Sequence, residues 1–201
     1  IVGSGAGDGV TAELLSAAGV DVSIVEEGPL KTSSDFKMLE SEAYPALYQD
    51  SASRQTADKA IKILQGRCVG GSTTGNWTSS FRTPPATLQW WQTAHGLKNL
   101  SVDAMAPWFA AMEQRLHVGL WPLPPNDNNA ALARGAAQLG IPVAVIPRNV
   151  KMCWNLGYCG LGCPTNAKQS MLVTTIPTAL TRGAKMISRL RAEKLEFSGN
   201  K

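Results

Sequence analysis

Histidine is almost missing from this chain: His95 and His117 are the only two among 201 residues. That scarcity removes the usual sources of a Ser–His–Asp or Cys–His arrangement and of a histidine-rich metal centre. Both sit at ordinary structural positions, His95 before Gly96 and His117 at the end of a helical stretch. Long apolar runs are lacking too, and none reaches the roughly 20 residues that span a bilayer. A dense basic stripe is also absent. The net charge is +4 and the pI about 9.0, yet the richest basic stretch, 182–194, is interleaved with Met186, Ile187 and Leu190. With no nucleic-acid-reading motif beside it, that stretch is expected to be a solvated face and nucleic acid is not an expected partner.

Charged residues make up 17% and hydrophobic residues 44%, the balance of a folded globular chain with room for one or two domains. The sequence opens at Ile1-Val2-Gly3, already inside a motif. Cytoplasmic, periplasmic and membrane-associated locations are all compatible with it.

Ile1-Val2 reads as the end of a buried strand. A glycine-dense turn follows, then a helix over Val10–Ala18 with Val10, Leu14 and Ala18 four residues apart, and a β-branched strand over Val20–Val25. Strand, turn, helix and strand within residues 1–28 form a βαβ unit and imply a parallel sheet. Further helices are expected around Ala57–Leu64, at Thr87–His95, Ser101–Val118, Asn126–Leu139 and Thr174–Arg182. Strands are expected at Val143–Ile146, Lys185–Leu190 and Glu193–Phe197. Ser101 is the expected cap of a helix presenting Met105, Trp108, Met112 and Leu116 on one face.

Gly3-Ser4-Gly5-Ala6-Gly7-Asp8 stands where a G-x-G-x-x-G fingerprint belongs. Its glycines allow a tight turn and a close backbone approach, and the N-terminus of the next helix favours a pyrophosphate. Glu26, with Glu27 beside it, ends the second strand and is placed for ribose hydroxyls. Asp8 replaces the third glycine. A carboxylate there adds negative charge beside a diphosphate, so weakened dinucleotide affinity is expected.

A second glycine loop, Gly66-Arg67-Cys68-Val69-Gly70-Gly71-Ser72-Thr73-Thr74-Gly75-Asn76, offers unshielded N–H groups and hydroxyls for an anion or a flavin edge. Together with Gly3–Gly7, Val25-Glu26-Glu27-Gly28-Pro29, Phe81-Arg82, Cys159–Pro164 and Ala167–Ser170, it strongly resembles the glucose–methanol–choline (GMC) oxidoreductases across essentially the whole chain. The resemblance implies an α/β fold: a Rossmann-like FAD-binding domain with a parallel sheet, a long excursion and a partial substrate domain. Within it, 1–28 is the dinucleotide unit, 66–82 the flavin signature and 153–170 a cysteine loop. FAD would be held by Gly3, Gly5, Ala6, Gly7, Glu26, Glu27, Arg67, Gly70, Gly71 and Ser72, with Asn76 near the flavin ring and Ala192 against adenine by analogy. Some relatives attach FAD through a His just before that Asn. Gly75 stands there instead, so the FAD is expected to be non-covalent.

Cys153-x5-Cys159-x3-Cys163-Pro164 leaves three readings open: an iron–sulfur cluster, zinc, or plain structural cysteines. The resemblance implies oxidation of a small-molecule alcohol by hydride transfer to FAD, with oxygen or another electron acceptor completing the cycle. The family's catalytic pair belongs to a C-terminal portion that this stretch does not include, so no catalytic residue is assigned. The alternatives are a non-catalytic FAD-fold remnant serving as a binding module, and an NAD-dependent dehydrogenase, which the 66–76 loop disfavours.

Overall fold

The β-branched segment closing on Glu26 forms strand β1 over Ser23–Glu26. Gly3 donates its N–H to the Val25 carbonyl at 2.8 Å, and Val25 donates to the Ile1 carbonyl at 3.0 Å, a parallel bridge centred on Val2. On its other side β1 pairs in parallel with β4, Lys185–Ser188, in the register Ser23 to Lys185 through Glu26 to Ser188. The parallel α/β arrangement expected from the sequence is therefore present. These coordinates belong to a computed structural model, which describes residues 1–199.

Helix α1 spans Ala6–Ala17 and begins inside the glycine turn, four residues earlier than its apolar spacing suggests. Gly5 takes the extended N-cap conformation, which brings Asp8 into the first helical turn. Gly19, at φ +77°, follows its end in the left-handed conformation that suits glycine. Helix α6, Thr175–Thr181, packs against α1. Pro177 falls in its first turn, where no N–H partner is needed. A Cβ on Gly9 would come within 2.6 Å of the Thr175 hydroxyl. Gly9, rather than the third fingerprint position, is thus where a bare backbone permits close packing. Ala12, Val22, Ile24, Met171, Ile176 and Ala179 are buried in this unit.

The chain separates into two compact units: Ile1–Thr78 with the segment from Lys151 onward, and Ser79–Val150. The first also contains α2, Glu40–Leu47, which the sequence reading missed. Only two turns long and carrying Pro45, α2 gives little periodic signal. It nonetheless supplies Ala43 and Leu47 to a buried cluster with Phe36, Tyr48, Cys68 and Leu161. The second unit holds α3 (Pro85–His95), α4 (Val102–Arg115), α5 (Asp127–Gln138) and a short antiparallel pair, β2 (Val118–Gly119) with β3 (Arg148–Asn149). Ser101 caps α4 by accepting the Ala104 N–H at 3.1 Å. Phe109, not the exposed Trp108, shares the half-buried face of α4 with Met105 and Met112.

Three expected elements do not form. Residues 57–64 are not helical, because the Asp58 carboxylate accepts from the Thr56 hydroxyl and the Ala60 N–H, a local turn that competes with a helix. Val143–Ile146 is exposed and unpaired between Pro142 and Pro147, and the strand falls at 148–149 instead. Glu193–Phe197 is exposed and irregular, so Ala192 opens no strand.

Candidate cofactor-binding site

Two glycine loops meet at the carboxyl end of β1. Gly3 holds φ +101°, Gly70 +89° and Gly71 +53°, all in the region glycine favours. A Cβ added to Gly71 would lie 3.0 Å from the Gly5 Cα. The two loops therefore approach backbone to backbone, with the Gly3 N–H given to the Val25 carbonyl, the Gly70 N–H to the Ser4 hydroxyl and the Gly71 N–H to the Cys68 carbonyl.

A buried polar relay locks this junction. The Ser4 hydroxyl donates to Glu26 Oε2 at 2.6 Å, and the Gly70 N–H donates to the Ser4 hydroxyl at 3.0 Å. Gly28 donates its N–H to Glu26 Oε1 at 2.6 Å. Glu26 is buried, and each of its oxygens already accepts one bond from the chain itself. Each oxygen keeps a second lone-pair direction for a further donor. Gly28 is fixed by space, since a Cβ there would collide with the Arg67–Cys68 peptide at 2.4 Å. Arg67 Nε pairs with Glu27 Oε1 at 2.6 Å on the exposed side of the same junction. The Ser72 hydroxyl accepts the Gly66 N–H at 2.9 Å and closes the second loop on itself.

Lys168 and Tyr48 are central residues that the sequence reading did not single out. The buried ammonium of Lys168 donates to the Asn76 carbonyl at 3.1 Å, to the Cys159 carbonyl at 2.6 Å and to the Thr74 carbonyl. It ties the end of the flavin-like signature to the cysteine loop. Burial pushes its pKa down to about 8, against the opposing pull of Cys159, Cys163 and Cys68. The Tyr48 hydroxyl lies within bonding reach of the Gly75 carbonyl and of the Gly160 carbonyl at 2.6 Å, and burial raises its pKa to about 12. A Cβ on Gly75 would lie 2.8 Å from the phenol. Tyr48 lies well apart in sequence from both loops, so no local pattern announced it.

The cysteines are not gathered as metal ligands. Among the described residues no group of three His, Cys, Asp or Glu side chains is placed to hold an ion. Cys153, Cys159 and Cys163 border a void of about 20 Å³, room for about one water. No disulfide joins any of the four. Cys163 Sγ accepts from the Lys168 N–H at 3.5 Å and lies 3.4 Å from the Thr165 hydroxyl. Burial raises the Cys163 pKa, but these bonds and the Thr165 and Ala167 N–H groups together bring it below the usual value. Cys68 is fully buried, and desolvation pushes it up to about 12. The larger cavity, about 340 Å³, is lined by Lys31, Phe36, Glu42 and Leu47 beside α2 and does not open on the glycine loops.

Known proteins resemble this chain in sequence and fold. A family model described as GMC oxidoreductase matches residues 44–201. This chain belongs to the GMC oxidoreductases. A long-chain-alcohol oxidase of Arabidopsis thaliana is 30% identical over 200 residues, covering 100% of this chain and 26% of the oxidase. An uncharacterized GMC-type oxidoreductase of Mycobacterium tuberculosis is 34% identical over 198 residues, 97% of this chain and 32% of that protein. The crystal structure of pyridoxine 4-oxidase from Mesorbium loti superposes with a TM-score of 0.72 at 19% identity, covering 99% of this chain and 43% of that one, and so shares the fold. The chain spans about a quarter to two fifths of the length of the curated relatives it matches. Enzymes of this family are generally FAD-dependent, and the bare junction of Gly5 with Gly71 fits the close approach of a diphosphate.

Proposed function

We propose that this chain is the FAD-binding portion of an enzyme that oxidises an alcohol, and that its FAD is held without a covalent bond. The observation that carries the reading is the junction of Gly3–Gly5 with Gly70–Gly71, tied through Ser4 to Glu26. A fingerprint alone would serve NAD equally well; a second glycine loop seated on the first supports a flavin dinucleotide. Gly3, Gly5, Ala6 and Gly7 would face the diphosphate with Gly70, Gly71 and Ser72. Glu26 would accept from ribose through its remaining lone pairs, and Arg67 with Glu27 would brace the rim. Asn76, its carbonyl fixed by Lys168, would border the flavin ring. Tyr48 fills the space beside Gly75 that a flavin-linking side chain would need.

FAD, when bound, supplies the acceptor for the hydride leaving the alcohol carbon, while the hydroxyl proton passes to a base outside this stretch. Oxygen or another acceptor would then take the electrons. The names of the plant relatives make a long-chain alcohol the first substrate to try. Anaerobic mixing of the full-length protein with such alcohols should bleach its flavin absorbance. A flavin-loaded protein that no alcohol of any chain length bleaches would contradict the reading.

A further inference from the structure

Asp8 is the one residue of the first glycine loop whose chemistry opposes the proposed ligand. Placed in the first turn of α1, its Oδ2 lies 2.8 Å from where a Cβ on Gly3 would stand and 3.5 Å from the corresponding point on Gly5. Among the described residues the half-buried carboxylate makes no hydrogen bond or ion pair. Among the described residues no cation pairs with it: Arg67 is committed to Glu27, and Lys168 to three backbone carbonyls. The negative end of this side chain therefore covers the two glycines whose bare backbone would otherwise receive a diphosphate.

We infer that Asp8 sets the affinity of this cradle for its dinucleotide, holding a negative charge against Gly3 and Gly5 where the diphosphate would sit. The inference rests on the FAD reading above. The carboxylate has its own reason to be there, since an acid in the first turn of a helix is favoured by the helix dipole. Removing it should therefore move two quantities in opposite directions. The ligand-free protein should melt lower, and the dinucleotide should bind tighter.

The test uses the full-length protein stripped of nucleotide, as wild type, Asp8→Asn and Asp8→Gly, titrated with FAD by quenching of flavin fluorescence. Both variants should lower Kd by about tenfold or more at low salt, the gain shrinking as salt screens the repulsion. Asp8→Gly should also lower the melting temperature without FAD and widen the shift that FAD produces. Asp8→Asn keeps the shape of the side chain, so it decides the matter if the glycine variant does not fold. Folded variants that bind FAD no more tightly than wild type would overturn the role of Asp8 and leave the FAD reading standing. Failure of all three proteins to bind FAD would instead overturn the FAD reading, and this inference with it.

Discussion

The Ser4 hydroxyl donates to Glu26 Oε2 across 2.6 Å, joining the first glycine loop to the end of strand β1 inside the protein. The Ser4 hydroxyl oxygen in turn accepts the Gly70 N–H, so one hydroxyl fixes both glycine loops. Ser4→Ala leaves Glu26 a donor short and the Gly70 N–H without its acceptor. Such losses at buried groups cost about 1–3 kcal/mol. Urea denaturation should show a loss of that size, and unchanged stability would contradict the relay.

Gly75 is small because Tyr48 occupies the adjoining space. Gly75→Ala puts a methyl group 2.8 Å from the phenol carbon and oxygen and should cost about 1–3 kcal/mol, the usual range for overpacking. In a Tyr48→Ala background that cost should largely vanish, giving a coupling of about 1 kcal/mol or more in a double-mutant cycle. Additive effects would show that the two residues do not share the space.

Lys168 titrates near 10.5 when unfolded and near about 8 in the fold. A depressed folded pKa contributes stability that is present above the unfolded value and lost as pH falls through about 8. Lys168→Met removes this titration along with the three hydrogen bonds. The stability of wild type relative to the variant should therefore rise between about pH 8 and 10.5, by at most about 3 kcal/mol. A difference that stays flat over that range, measured by denaturant unfolding, would contradict the burial of the ammonium.

The thiols should separate by reactivity. Hydrogen bonds hold Cys163 below the usual cysteine pKa despite burial, whereas burial, with the nearby Glu26 charge, raises Cys68 to about 12. Alkylation at neutral pH, mapped by mass spectrometry, should label Cys163 well before Cys68. Cys68 should react only with unfolding.

The glycine loops were legible in the sequence because each requirement is local: bare backbone, left-handed φ, and an acid at the end of a β-branched strand. The same holds for the cap at Ser101, where one side chain answers one nearby N–H. Lys168 and Tyr48 were not legible, since each acts on carbonyls far along the chain, 92 residues away for Asn76 and 112 for Gly160. The missed α2 and the absent strands at 143–146 and 193–197 share a cause. Short apolar patterns carry no record of whether a partner strand or a packing surface waits for them. Gly9 teaches the converse, its role visible only once Thr175 stands against it.

The most direct test of the account is the visible absorption spectrum of the purified full-length protein, before and after acid precipitation. Flavin bands that pass into the supernatant, identified as FAD, are the predicted result. A well-folded, colourless protein that takes up no FAD on reconstitution would contradict the claim that the two glycine loops form a flavin cradle.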